Sequence, residues 1–198
     1  MADARAVVAP LVQDLTAAIR DALGANLLAL YLWGSYAVGD FDPQLSDVDL
    51  VAVVHRNVTG DEYAALDALH RQIAARYPVW AGRVEVAYAT RATLDHPETG
   101  GEIVRISPGE PLNRRRSDSR WTVDWYVVRT RGIPLHGPPP TVLLAPITPA
   151  QFVESVRANV DTVGEWVETV RGRRGDAYAI LLMCRALRAT LHGDQLSK

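Results

Sequence analysis

The chain has 198 residues, of which 48% are apolar, and a formal net charge of −2. That length supports one large domain or a domain with a smaller companion, and the apolar share supplies a sizeable core. The near-neutral balance excludes a bulk electrostatic drive toward nucleic acid, no apolar run reaches the roughly 18 residues of a membrane span, and the single cysteine, Cys184, excludes an intramolecular disulfide.

The first twenty residues carry Asp3 and Asp14 and lack a long apolar centre, so no signal peptide is expected and the protein is expected to be soluble and cytoplasmic. Val7, Leu11, Leu15, Ile19 and Leu23 recur every four residues, which predicts an amphipathic helix over 5–23, stopped by Gly24. NLLALYLW (26–33) predicts a buried strand. DVDLVAVV (47–54) predicts another, apolar on both faces behind its aspartates, which requires cover on both sides of the sheet. TGDE (59–62) has the form of a capping box, with Thr59 as N-cap and Glu62 three residues on. Leu66, Leu69 and Ile73 carry the following helix to Tyr77-Pro78, where proline ends it. RVEVAYA (83–89) alternates as a strand, with Val84, Val86 and Tyr88 on one face and Arg83, Glu85 and Ala87 on the other.

GEIVRIS (101–107) reads as a further strand. PGEPLNRRRSDS reads as a polar loop in which Arg114, Arg115 and Arg116 either are solvated or reach a polyanion, and RWTVDWYVVRTRG as a helix ending at Gly132. HGPPPTVLLAPITP (136–149) holds five of the twelve prolines and is the expected linker. TPAQ then sets Thr148 at an N-cap, Pro149 at N1 and Gln151 at N3, opening a helix marked by Phe152, Val156, Val160, Val163 and Val167. A last helix is expected over about 176–192, with Cys184 as a small buried apolar residue. The layout is α/β over 1–140 followed by a helical domain over 148–198 that is short or truncated. An apolar face left bare on such a domain would favour dimers, and monomer and homodimer both stay open.

Asp47 and Asp49 stand two apart on a predicted strand, so their side chains leave one face with Cα atoms about 6.5–7 Å apart. Two carboxylates that close repel unless a cation lies between them. Hard oxygen donors suit Mg²⁺, which takes one or two carboxylates plus substrate phosphates; the plain alternative is a solvated strand edge. Gly34-Ser35 ends the preceding strand. The glycine admits close backbone approach, and the serine presents an N–H and a hydroxyl to phosphate oxygens. Glu85 either joins the pair across neighbouring strands or faces solvent.

Gly34-Ser35, eleven residues, then Asp47-Val48-Asp49, with EVAYA as the third element, resembles the signature of the polymerase-β-type nucleotidyltransferases. Within that group LWGSYAVGDFDPQLSDVDLVAVV, VEVAYA, VDWYVVRTRGIPLHGPP and LLMCRALRATLHGDQLSK look like the aminoglycoside adenylyltransferases of the streptomycin/spectinomycin type, most strongly over 27–89. The resemblance implies a mixed sheet flanked by helices (an α+β nucleotidyltransferase domain) joined to a helical domain, with ATP and Mg²⁺ in the cleft between. It implies that Asp47 and Asp49 hold Mg²⁺ against the triphosphate, that Gly34, Ser35 and Ser46 contact phosphates, and that Glu85 is the general base. Asp124 would lie near the nucleotide, and Arg185 and Lys198 would point at the triphosphate. The implied reaction moves AMP to a hydroxyl of an aminoglycoside or similar cationic small molecule and releases pyrophosphate, with no nucleic-acid or membrane partner.

Segment 95–120 departs from that family, so no drug-contacting tryptophan carries over, and Trp121, Trp125 and Trp166 are expected in the core. Asp161, Glu165, Glu168 and Asp176 either face a cationic drug or form a solvated helix face. Two other readings compete. A toxin–antitoxin nucleotidyltransferase would modify protein or RNA, but such proteins are smaller and lack the helical partner. A non-catalytic nucleotide-binding scaffold would be favoured by a lost carboxylate, and all three are present.

Overall fold

Among the described residues, six strands form one mixed sheet at the centre of the computed structural model. It describes residues 4–169 and 173–192, with side chains over 6–160, 180 and 182–192. The strands are β1 (Leu27–Leu32), β2 (Val48–Val54), β3 (Val84–Thr90), β4 (Glu102–Ser107), β5 (Glu110–Arg116) and β6 (Ile133–His136), in the spatial order β5-β4-β3-β2-β1-β6. The β2–β3 pair is parallel, and the other neighbouring pairs are antiparallel. A parallel pair needs a crossover, which α3 (Gly60–Arg76) supplies.

The doubly apolar reading of β2 follows from cover on both faces. On one face Val48, Leu50, Ala52 and Val54 pack with Val84, Val86 and Tyr88 beneath α1 (Ala4–Leu23) and α3. The buried stripe of α1 is Val8, Leu11, Val12, Leu15, Ile19 and Leu23. Val7, expected in that stripe, is 48% exposed because Val8 takes the inward position. On the other face Tyr31, Val51, Val53, Ala87 and Ala89 pack against Trp125 and Val128 of α5 (Thr122–Arg131) and Leu94 of α4 (Arg91–Asp95). Fully burying each large side chain contributes about 1.5–3 kcal/mol. A short helix, α2 (Gly34–Val38), follows β1 directly.

Both capping boxes form. Glu62 N donates to Thr59 Oγ1 and Thr59 N to Glu62 Oε2; Gln151 N donates to Thr148 Oγ1 and Thr148 N to Gln151 Oε1. The second opens α7 (Pro149–Thr169), whose Phe152 stacks on Tyr126 of α5 with ring centroids 4.3 Å apart. Ala186 and Ala189 of α8 (Arg173–His192) pack into the same cluster.

Three expectations need correction. The predicted polar loop at 108–119 is largely strand β5. Pro108-Gly109, with Gly109 at φ +78°, turns the chain back along β4. The arginine run is tolerated because β5 is the sheet edge, where charged side chains also deter further pairing, and Arg114 pairs with Glu102 across the hairpin at 2.6 Å. The proline-rich 136–149 is packed rather than loose. Tyr31 donates its hydroxyl to Pro138 O, α6 (Pro140–Leu143) follows, and Leu144 is buried against the sheet. Prolines fix the path of such a segment as readily as they loosen one. Cys184 is exposed, because α8 turns its Ala186–Ala189 face inward. Trp125 is core, as expected, while Trp121 is only partly buried; Trp166 lies outside the residues whose side chains are described.

Candidate active site

Asp49 of β2 and Glu85 of β3 are register partners in the parallel pair. Side chains alternate across a sheet, so both leave the face covered by α5, next to Val51 and Ala87 in the core beneath it. Asp47 lies two residues before Asp49, where the same alternation continues into the strand entry; Val48 N is already paired with Arg83 O. Glu85 is therefore not a solvent-facing strand residue: its side chain is 19% exposed.

Gly34 is required beside Asp49. Its φ is +64°, a conformation that L side chains rarely adopt. A Cβ there would also stand 2.8 Å from Asp49 Cγ and overlap the carboxylate. Trp33 N donates to Asp49 O at 2.9 Å, which closes the junction between the end of β1 and β2. Glycine thus lets the backbone that carries Ser35 lie directly on the carboxylate. Ser35 sits in the first turn of α2 and is partly exposed.

Ser46 has a local structural duty. Its hydroxyl accepts from Asp42 N at 3.0 Å, and its own N–H donates to Asp42 O. The loop is held from outside by Arg83, which the sequence reading passed over. The Arg83 guanidinium donates twice to Pro43 O at 3.1 Å and also to Ser46 O, and it stacks 4.5 Å above the Trp80 ring. Arg83 therefore fixes the chain immediately before Asp47. Nothing in a strand-initial arginine signals such a clamp.

The second missed residue is Arg105 of β4. Its Nη2 donates to Glu85 Oε1 at 2.8 Å, and its guanidinium lies 5.2 Å from the Trp121 ring centroid. The available signal was alternation in EIVRIS, which places Ile103 and Arg105 on the Glu85 face. Asp124, in the first turn of α5, completes the group. Burial, and then the nearby Glu85 charge, raise its pKa to about 7; Arg105 and Arg185 pull against that rise. The tertiary structure thus brings Asp124 and Arg185 of α8 to the Glu85 side of the sheet. Lys198 lies outside the described residues, as do the side chains of Asp161, Glu165, Glu168 and Asp176.

A cavity of about 260 Å³ opens beside this cluster, between β4, β5, α5 and α7. Arg105, Arg115, Arg116, Arg120, Asp118 and Asp124 line it. Among the described residues no group of three or more His, Cys, Asp or Glu side chains is gathered for a metal. The carboxylate pair Asp47 and Asp49 remains the donor set available to a cation that brings its other ligands with it. No helix among the described residues is long and apolar enough to cross a membrane.

Residues 17–94 match the family model described as Nucleotidyltransferase domain. The match spans Gly34, Ser35, Asp47, Asp49 and Glu85. No curated protein matches the chain by sequence. Among solved structures it is similar to the spectinomycin adenyltransferase AAD(9) from Enterococcus faecialis, crystallised with ATP and spectinomycin. The TM-score is 0.74 at 16% identity, over 95% of this chain and 78% of that one. The mixed sheet flanked by helices is the nucleotidyltransferase fold.

Proposed function

We propose that this chain, whose residues 17–94 form a nucleotidyltransferase domain, transfers AMP from ATP to a hydroxyl of a small molecule and releases pyrophosphate. The observation that carries the reading is the register of Asp49 with Glu85 across β2–β3, with Asp47 two residues upstream and Gly34 pressed against Asp49. The Asp49 carboxylate faces that of Glu85 across a single strand spacing of about 4.8 Å, with Asp47 at the strand entry. Nucleotidyl transfer requires oxygens able to bind a cation beside a proton acceptor, and this arrangement supports that reading. The likeness to AAD(9), with its ATP and spectinomycin, supports ATP as donor and a hydroxylated small molecule as acceptor.

The chemistry divides among the residues. Asp47 and Asp49 would hold Mg²⁺, and their donor set and the glycine cradle beside Asp49 fit it. The bound cation would neutralise charge developing on the triphosphate. Gly34 and Ser35 offer the backbone and hydroxyl facing the phosphates, and Ser46 keeps the strand entry in place. Glu85 accepts the proton of the acceptor hydroxyl. The acceptor oxygen bonds to the α-phosphorus, the bond from that phosphorus to the pyrophosphate oxygen breaks, and pyrophosphate leaves with the pair. Arg105 orients Glu85, and Asp124 and Arg185 belong to the wall beside it; Lys198 remains a proposed triphosphate contact. A cytoplasmic setting accords with the ATP requirement.

The test incubates the full chain with α-labelled ATP, Mg²⁺ and a panel of hydroxylated compounds, aminoglycosides among them, and detects the AMP adduct by mass together with pyrophosphate. An AMP adduct lost in Asp49→Asn supports the reading. Pyrophosphate release that is indifferent to Asp49→Asn overturns it.

A further inference from the structure

Charge changes sign across the site face of the sheet. Asp47 stands at the entry of β2, Asp49 belongs to β2 and Glu85 to β3, whereas Arg105 belongs to β4 and Arg115, in register with Ile103, to β5; Arg116 ends β5 in register with Glu102, on the alternate face, and reaches the cavity from the strand end. If Asp47 and Asp49 mark the nucleotide side and Glu85 is the base, as proposed above, the acceptor meets Glu85 from the other side. In-line displacement sets attacking and leaving oxygens on opposite sides of phosphorus. The space on that other side is the cavity of about 260 Å³. Four arginines line it against two aspartates, Asp118 and Asp124. Arg120 engages Asp118 at 2.6 Å, Arg115 engages Glu110 and Arg105 engages Glu85. Arg116 has no ion pair among the described residues and is exposed.

We propose that the acceptor is an anionic hydroxy compound, whose phosphate or carboxylate is received in this cavity by Arg116 and Arg120, and not a polycation. A guanidinium presents a planar fork that matches an oxyanion with two parallel hydrogen bonds. Arg105, Arg115 and Arg120 are each balanced by a carboxylate, and Arg116, which is not, repels an ammonium group. Trp121, already under Arg105, offers a flat apolar face for a ring or carbon chain. The volume sits near the lower edge of small-molecule pockets, roughly 300–1,000 Å³, and suits a compact acceptor. The bond changes are those of the transfer already written: only the group that anchors the acceptor is new.

Calorimetry on the full chain with saturating ATP and Mg²⁺ provides the test. The probes are inorganic phosphate, glycerol 3-phosphate, glycerate, glycerol and streptomycin. Phosphate or glycerol 3-phosphate binding marks a phosphate reader, and glycerate binding alone marks a carboxylate reader. Glycerol and streptomycin are expected not to bind. Arg116→Ala and Arg120→Ala are each expected to weaken the anion about tenfold, while ATP affinity stays within about twofold. The proposal falls if no anion binds, if streptomycin binds in preference, or if either variant leaves anion affinity unchanged. It falls equally if Arg116→Ala weakens ATP and anion together, because the arginines then serve the triphosphate. Failure of the nucleotidyltransferase reading shows separately, as wild-type chain that takes up anion but no ATP.

Discussion

Arg105 Nη2 donates to Glu85 Oε1 at 2.8 Å, so the carboxylate proposed as base is held by a cation from the neighbouring strand. The pair is partly buried, with side-chain exposures of 25% for Arg105 and 19% for Glu85. Such a bond aims the carboxylate and neutralises it. A general base typically contributes about 10²–10⁴-fold in rate. Glu85→Gln is therefore expected to lower adenylyl transfer by about that factor while ATP affinity, read by calorimetry, changes little. Normal turnover in Glu85→Gln would remove the assignment.

Arg105 also lowers the pKa of Asp124, which burial and Glu85 hold at about 7. Removing a cation removes its downward pull. In Arg105→Ala the Asp124 carboxyl is expected to titrate at higher pH than in the wild type. Carbon-detected NMR of the labelled carboxyl reads the shift directly, and a fall instead of a rise would contradict the arrangement.

Asp124 also carries a stability prediction. Its folded pKa of about 7 lies above the ordinary aspartate value of 3.8, so between those values the folded chain holds a proton there that the unfolded chain has released. Stability contributed by this group is full below about pH 3.8 and falls as pH rises to about 7, then stays level. Asp124→Asn abolishes that titration. The difference in Tm, Asp124→Asn minus wild type, is expected to grow between about pH 4 and pH 7 and then flatten. A pH-independent difference would mean that Asp124 titrates normally.

Gly34→Ala tests the cradle. The substitution must adopt a left-handed backbone at a cost of roughly 1–2 kcal/mol and displace the Asp49 carboxylate as well. A loss of several degrees in Tm is expected for a chain of this size, with ATP binding lost beyond the loss of fold. Retained ATP affinity would separate Gly34 from the nucleotide.

Asp47→Asn with Asp49→Asn is expected to abolish ATP binding that requires Mg²⁺, and chelation of Mg²⁺ to do the same to the wild type. Unchanged ATP binding by the double variant, measured by calorimetry, would refute the metal assignment.

Local rules made much of the fold readable in advance. The capping boxes at Thr59 and Thr148 rest on side chains three residues apart, and both form as written. The strands over 26–33, 47–54 and 83–89 were visible in their apolar runs and alternation, because burial on one or two faces imposes a period. Strand β5 was hidden because Arg114 is satisfied by Glu102 on β4, a partner across the hairpin that a local reading does not show. The proline-rich segment misled for a related reason: its packing depends on Tyr31, more than a hundred residues upstream.

Residue spacing alone sets Asp47 and Asp49 two apart at the start of a strand, puts Gly34-Ser35 just past the end of the strand before them, and alternates Glu85 away from its apolar neighbours. Each of these follows from positions a few residues apart and the fixed period of the backbone. Packing across the sheet is what sets Glu85 in register with Asp49, brings Arg105 to hold Glu85, takes Asp124 from its ordinary acidity among them, and lines the adjacent cavity with arginines. Those outcomes depend on strand order and on which helix covers which face. Long-range packing sets both, and no single stretch of the chain encodes them.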